Sequence, residues 1–330
     1  MIDNDNNQEY IPKHSNNHMS LNKSKEPIVK DNTITDVPIK KDIEVEPIPI
    51  VKKQVIVRKK KRHLKKWVWN TFLVILLLVI AFCLLKIFFW SKDNKNTKNI
   101  VDEINKVTKV EETKDDERTE LVNEPKDKDK KNDYWYYIEQ PLINVNISDL
   151  KEKNNDTIGW INVNNTNINY PFVQGKDNIY YLDHSYDKSY NEAGWVFLDY
   201  RNNNTFSDKN NILYAHSRLD KTMFGSLSKA LKSNWYNNKD NHIIRLSTEI
   251  ENTMWQIFSV YKIPEETYYI TTNFSNDSEY EKFLNIIKER SIHNFNTDIN
   301  INDKVLTLST CYSDTERTVV HAKLIKRSSR

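Results

Sequence analysis

The chain has 330 residues, of which 38% are hydrophobic and 29% charged. This length predicts one or two domains, and the low hydrophobic fraction indicates that part of the chain does not join a packed core. The net charge is +3, but residues 134–330 contain 22 Lys or Arg against 24 Asp or Glu, so the folded part lacks the basic bias typical of nucleic-acid binding.

The N-terminal part of the chain predicts a membrane anchor. Residues 1–66 are polar, end in a basic flank, and are expected to form a disordered cytoplasmic tail. Residues 67–90 form an apolar span of about 36 Å as a helix, enough to cross a bilayer core of about 30 Å. We expect an uncleaved single-pass anchor rather than a signal peptide, since a long segment precedes the span. The basic flank predicts a cytoplasmic N-terminus and an extracellular C-terminal part at the cell membrane.

The two cysteines fall in different environments. Cys83 lies within the apolar span, and Cys311 lies near the C-terminus. A disulfide between them is therefore not expected. A free thiol in an exported domain is a candidate for reactivity.

The remainder of the chain divides into a linker and a folded domain. Residues 91–133 are charged and predict an extracellular stalk, and residues 134–330 predict the folded domain. Helical lead-in segments open this domain, and turn residues separate most of the β-like runs that follow. These features predict a mainly β fold with eight strands in a closed or nearly closed barrel. The eight runs are 158–163, 168–174, 193–199, 211–216, 242–248, 253–263, 304–310 and 318–326.

Two helical patterns interrupt the strands. Residues 223–231 carry apolar residues on one face of a helix. A longer helix is predicted between the sixth and seventh strands, with Ser278 as N-cap and Glu281 three residues later. Its apolar positions, at helical spacing, are Tyr280, Phe283, Leu284 and Ile287.

The segment KVLTLSTCYSDTER points to nucleophilic chemistry. Cys311 ends an alternating β pattern, and Arg317 follows after a short polar stretch. A thiolate attacks carbonyl carbon well, and a guanidinium can stabilise the oxyanion that forms. His216, which ends another apolar run, is the candidate acid or base, and His321 is its competitor. The alternative for Cys311 is a small buried apolar side chain.

Metal and cofactor motifs are absent from the sequence. There is no HExxH or CxxC pattern, and four glycines leave little for a phosphate-binding loop. No metal site and no cofactor are expected.

Six motifs occur in order along the chain: IGWINV, INYPFVQGKDNIYYLDHS, GWVFLDYRN, NILYAHS, MFGSL and TLSTC. Together they resemble class B sortases, the membrane-anchored cysteine transpeptidases of Gram-positive bacteria. The resemblance covers residues 134–326 and implies a sortase-like eight-stranded barrel, the long helix being the class B feature. It implies that Cys311 is the nucleophile, that His216 protonates the leaving amine, and that Arg317 binds the sorting signal and steadies the oxyanion. Asn178, Leu182 and Ser309 match substrate-groove positions. The resemblance therefore makes residues 134–330 the expected catalytic domain.

The resemblance implies cleavage of a C-terminal sorting signal after Thr, through a thioester, with transfer of the exported protein to a peptidoglycan-precursor amine. The expected partners are sorting-signal proteins, that amine and the bilayer, with no nucleic acid. One alternative is a pilin-polymerising sortase with a Lys acceptor. Another is a non-catalytic membrane-tethered peptide-binding module, supported by the short segment between Cys311 and Arg317.

Overall fold

The structure, a computed structural model, describes residues 65–125, 133–264, 266–311 and 316–330. The predicted disordered tail, except its last two residues, and part of the predicted linker lie outside this range. The helices are α1 (Lys66–Val107), α2 (Tyr134–Tyr137), α3 (Ile147–Lys153), α4 (Ser233–Tyr236) and α5 (Asp277–Glu289). The strands are β1 (Glu111–Thr113), β2 (Thr119–Leu121), β3 (Leu142–Asn144), β4 (Thr157–Val163), β5 (Asn169–Val173), β6 (Phe197–Leu198), β7 (Asn210–His216), β8 (Ile243–Thr248), β9 (Glu251–Ile263), β10 (Val305–Cys311) and β11 (Arg317–Ser329).

Strands β4 to β11 form a closed barrel. Their spatial order is β10-β7-β6-β5-β4-β8-β9-β11, and β10 also pairs with β11, which closes the ring. The pairs β5–β6 and β7–β10 are parallel, and the other pairs of the ring are antiparallel. The predicted mainly β fold with an eight-stranded barrel is confirmed.

The alternation of side chains along the strands divides the apolar residues between two layers. Leu306 and Leu308 of β10 belong to the main core cluster, whereas Val305 packs in a second cluster with apolar residues of α5. Helix α5 therefore covers an outer face of the sheet, as a half-buried antiparallel sheet with an amphipathic helix requires. Its position between the sixth and seventh barrel strands is confirmed, and so is the burial of its four predicted apolar residues.

The start of α5 differs from the prediction by two residues. The N-cap is Asn276, not Ser278, and its Oδ1 accepts a hydrogen bond from Glu279 N at 3.0 Å. The Glu279 side chain accepts in turn from Ser275 N at 2.7 Å. A related pair of capping bonds therefore operates about half a turn earlier. The amide of Asn276 takes the place of a hydroxyl, and Glu279 bonds the residue before the N-cap.

Two other elements are shorter than predicted. The third barrel strand covers residues 197–198 only, because Gly194 adopts a left-handed φ of 59° and Trp195 N bonds to Tyr181 O instead of a strand. The segment 223–231 contains a 3-10 helix at residues 227–231 only. Met223 has a φ of 50°, which no helix accommodates.

Helix α1 continues beyond the apolar span and packs on the barrel. Within the described residues it is one helix that is long and apolar enough to cross a bilayer. Thr97, Ile100 and Ile104, past the end of the span, are buried. Strand β1 pairs with β3, and β2 pairs with β11. These described parts of the predicted linker therefore lie on the folded domain, and the domain boundaries themselves stay predictions.

Candidate active site

The parallel pair β7–β10 brings Cys311 and His216 together. The two residues are register partners at the carboxyl ends of these strands. Neighbouring strands lie about 4.8 Å apart, so the two backbones are side by side although the residues are distant in sequence. The sequence predicted both residues at strand ends, and the register supplies the pairing.

The imidazole of His216 is held by a main-chain carbonyl. Its Nε2 lies 2.7 Å from Leu182 O. A carbonyl oxygen only accepts, so Nε2 carries a hydrogen and, in the neutral ring, the lone pair is on Nδ1. This contact fixes both the ring orientation and the tautomer of His216.

Gly194 allows the Leu182 carbonyl to take this position. A Cβ at residue 194 would lie 2.6 Å from Tyr181 O and 2.7 Å from Leu182 O, and the φ of 59° also favours glycine. Trp195 N donates to Tyr181 O at 2.9 Å and ties the same two segments together. The sequence analysis missed Gly194, and its signal was a glycine directly before the apolar run WVFL.

Arg317 lies next to the backbone that carries the cysteine. It is half-buried at the first position of β11, and its Nη1 is 3.5 Å from Thr310 O. Thr318 N donates to Thr310 Oγ1 at 2.9 Å, which fixes the start of β11 against the end of β10. The structure therefore brings Arg317 to the same end of the barrel as Cys311 and His216.

The three predicted groove residues differ in exposure. Asn178 and Leu182 are half-buried and reach the surface, and Asn178 Oδ1 accepts from Tyr200 N at 3.0 Å. Ser309 is fully buried, and its Oγ lies 3.0 Å from the Tyr269 hydroxyl. Ser309 therefore has no surface for a substrate in this arrangement, and its hydroxyl instead fastens β10 to Tyr269.

An ion pair between buried Asp199 and the more exposed Arg201 supports β7 two residues before His216. Tyr214, the register partner of Ser309, donates to Asp199 Oδ2 at 3.0 Å, and Arg201 Nη2 donates to the same atom at 2.6 Å. Burial alone would raise the pKa of Asp199, but hydrogen bonds from Arg201 outweigh it and hold the pKa below its ordinary value. Asp199 therefore stays ionised and anchors Tyr214. The sequence analysis did not identify this network.

His321 has a structural place. It is fully buried, with Nδ1 2.8 Å from Thr307 Oγ1 and Nε2 2.7 Å from the Tyr261 hydroxyl. Its register partner is Thr307, four residues before Cys311 and so about 13 Å along the strand. Burial lowers the pKa of His321 to about 3. These contacts favour His216 over His321 as the partner of the cysteine.

Replacing His321 with glutamine is expected to reduce the pH dependence of unfolding. The unfolded histidine binds a proton below its ordinary pKa of 6.5, whereas the folded one does so only below about 3. Stability from this site is complete above pH 6.5 and is lost as the pH falls, by about 1.4 kcal/mol per pH unit and about 2 kcal/mol by pH 5. Urea unfolding of both proteins at pH 7 and pH 5 measures it. Equal pH dependence in the two proteins would contradict the assignment.

No group of three or more His, Cys, Asp or Glu among the described residues is arranged to hold a metal ion. The expectation that no metal or cofactor takes part stays a prediction.

Comparisons with known proteins agree on one family. A sequence model of the Sortase domain matches residues 161–325. The chain is 31% identical to Sortase B of Listeria monocytogenes over 268 residues, which cover 80% of this chain and 99% of the relative. The structure of a Bacillus anthracis protein similar to sortase B shares 34% identity at a TM-score of 0.56, over 72% of this chain and 97% of that one. The Staphylococcus aureus sortase B–substrate complex shares 37% identity at a TM-score of 0.52, over 54% and 84%.

Proposed function

Because this chain belongs to the sortase family and is a cysteine transpeptidase, we propose that it cleaves a C-terminal sorting signal after Thr and transfers the exported protein to a peptidoglycan-precursor amine. The observation that carries this proposal is the register pairing of Cys311 with His216. The position of Arg317 beside Thr310 supports it further.

The first half of the reaction forms a thioester. The Cys311 thiolate adds to the Thr carbonyl carbon, and the peptide C–N bond breaks as the tetrahedral intermediate collapses. Protonated His216 keeps its Nε2–H on Leu182 O, so Nδ1 delivers the proton to the departing amine. The Leu182 contact supports this assignment because it engages Nε2 in orienting the ring.

The second half regenerates the thiolate. The acceptor amine adds to the thioester carbonyl, a new amide bond forms, and the C–S bond breaks. Nδ1 of His216 takes the proton that the amine loses, which restores the imidazolium. Water in place of the amine gives hydrolysis.

Arg317 and the groove residues act on the substrate. The Arg317 guanidinium stabilises the oxyanion in both tetrahedral intermediates and binds the sorting-signal backbone. Asn178 and Leu182 contact the signal, as their partial exposure allows. Ser309 acts by positioning β10 through Tyr269.

The anchor places this chemistry at the outer face of the membrane. Residues 67–90 cross the bilayer, the basic flank that ends at residue 66 keeps the N-terminus in the cytoplasm, and residues 134–330 form the extracellular catalytic domain. Exported proteins and lipid-delivered wall precursors both reach this face. The Staphylococcus aureus neighbour is a sortase B–substrate complex, which supports substrate binding by this chain.

The proposal is tested with the full-length protein in detergent and a library of quenched peptides that contain Pro-x-Thr signals. We expect cleavage after Thr that is slow alone and accelerates on addition of triglycine, with a ligated product detected by mass spectrometry. Acceleration by a lysine side chain alone would favour a pilin-polymerising enzyme. Peptide binding without cleavage or ligation, with any amine, would favour a non-catalytic binding module and contradict the proposal.

A further inference from the structure

Helix α1 joins the apolar span rigidly to the barrel. Ile100 and Ile104 belong to the same core cluster as Trp160 and Trp195. The helix runs from Lys66 to Val107 without a break. A continuous helix docked at one end fixes the height of the barrel above the apolar span through its rise of about 1.5 Å per residue.

One loop of the barrel, residues 185–192, meets α1 beside the end of the span. We call it the interface loop. Asn191 is fully buried, and its Nδ2 donates to Thr97 Oγ1 at 3.0 Å and lies 3.4 Å from Asp93 O. Ala193 N donates to Asn191 Oδ1 at 2.9 Å, so the amide is bonded at both ends. The loop is therefore fastened to α1 and does not merely approach it.

Further contacts of the interface loop reach down into the span. Glu192 forms an ion pair with Lys86 at 3.9 Å. Tyr190 is 64% exposed and, with Phe89, lines an open cleft of about 580 Å³ between the loop and the helix. The cleft carries charges of both signs, from Lys92, Lys95, Asp93 and Glu192.

The contacts on α1 lie on both sides of the polar layer of a bilayer and within it. The midpoint of residues 67–90 lies between residues 78 and 79. A hydrocarbon half-thickness of about 15 Å then ends near residue 88 or 89, and the headgroup layer, about 20–22 Å from the midplane, ends near residue 93. The loop contacts α1 at residues 86 to 97. This range begins just inside the hydrocarbon edge and ends above the headgroup layer, so part of the loop lies at headgroup height.

We propose that the interface loop is seated in the outer headgroup layer of the membrane that α1 crosses, so that the bilayer surface is a docking surface for the catalytic domain. This rests on the membrane crossing proposed above. An exposed tyrosine is typical of this layer, and a cleft with charges of both signs suits phospholipid headgroups. The continuity of the docked helix with the span selects the bilayer as the occupant.

Two hydrogen bonds and one peptide link connect the interface loop to His216. Asn191 N donates to Asp183 O at 2.8 Å, and the residue before Asp183 supplies the carbonyl that holds His216. The headgroup layer therefore supports the segment that orients the imidazole. The active site is held close to the membrane surface rather than at the end of a flexible stalk.

The test measures the depth of spin labels on the full-length protein in vesicles of phosphatidylcholine and phosphatidylglycerol. Single cysteines replace Tyr190, Leu78 or Ile286 in a background with Cys83→Ala and Cys311→Ala. Ile286 is an exposed residue of α5 and serves as the aqueous control, and Leu78 marks the bilayer centre. Collision rates with oxygen and with a water-soluble nickel chelate give the depth.

We expect the label at residue 190 to lose most of the nickel collision rate seen at residue 286, with an oxygen rate between those at 286 and 78. If the label at residue 190 is as accessible to nickel as the label at residue 286, while residue 78 lies deep in lipid, the proposed seating of the loop is wrong. The membrane crossing would stand in that case. A water-exposed label at residue 78 would overturn the membrane crossing as well. If Tyr190→Cys disturbs the loop, a label at Ser189 repeats the measurement. Transpeptidation is assayed separately, so a failure of the proposed seating is distinguishable from a failure of the proposed transpeptidation.

Discussion

Cys311→Ala is expected to reduce transpeptidation by a factor on the order of 10⁴ or more, because no acyl-enzyme forms without the thiolate. Cys83→Ala is the matched control, since Cys83 is an exposed residue of the apolar span. We expect the control to keep full activity. The measurement is the rate of ligated product formed from a sorting-signal peptide and triglycine.

Thiol alkylation separates this result from a folding defect. In the wild-type protein and in Cys83→Ala, an alkylating reagent should abolish activity, and the sorting-signal peptide should slow the inactivation. Cys311→Ala should show unchanged thermal unfolding. Retained activity in Cys311→Ala, or a parallel loss in Cys83→Ala, would contradict the assignment of the nucleophile.

Removal of the docked part of α1 is expected to destabilise the catalytic domain by about 3 kcal/mol or more, since Ile100 and Ile104 each lose about 1.5–3 kcal/mol of apolar burial. The comparison is between a protein that starts at residue 91, after the apolar span, and one that starts at residue 108. Only the first retains the contacts with Trp160 and Trp195. Urea unfolding of both proteins gives the difference.

Point variants test the same contact without a change of chain length. Ile104→Ala in the longer protein should cost about 2–5 kcal/mol. Glu103→Ala, one residue away on the exposed face of α1, should cost little. Equal stabilities of the two truncated proteins, together with a neutral Ile104→Ala, would show that this segment is a spacer.

The sequence predicts the barrel well because its strands alternate in a clear pattern. Seven of the eight predicted runs match strands closely, and the helical spacing of Tyr280, Phe283, Leu284 and Ile287 gives the buried face of α5. Local conflicts explain the differences. The left-handed φ of Gly194 makes the third strand begin later than predicted, and Asn276 rather than Ser278 is the N-cap of α5.

The docking of α1 was missed because its apolar signal is short. Helical spacing relates Thr97, Ile100 and Ile104, but they lie in a charged stretch whose composition predicts a linker. Three apolar positions on one face of a helix are enough to dock it when the barrel presents a complementary surface groove. That groove is a property of distant strands, and the periodicity of one segment does not reveal it.

For the candidate site, too, the sequence predicts the residues but not their mutual placement. Residue type and strand position single out Cys311, His216 and Arg317, because a thiol, an imidazole and a guanidinium at strand ends suggest acyl transfer. Their mutual placement depends on the parallel register of β7 with β10, which is non-local. The Leu182 carbonyl partner of His216 could not be predicted, since a main-chain contact leaves no mark on residue type.

The most direct test of the central claim is to trap the acyl-enzyme. The full-length protein is mixed with an intact sorting-signal peptide that it is able to cleave. The mixture is quenched in acid and digested, and the fragments are mapped by mass spectrometry. We expect the mass of the peptide up to its Thr on the fragment that contains Cys311, discharged by added triglycine and absent in Cys311→Ala. Cleavage that proceeds without an adduct on Cys311, or that persists in Cys311→Ala, would contradict the claim.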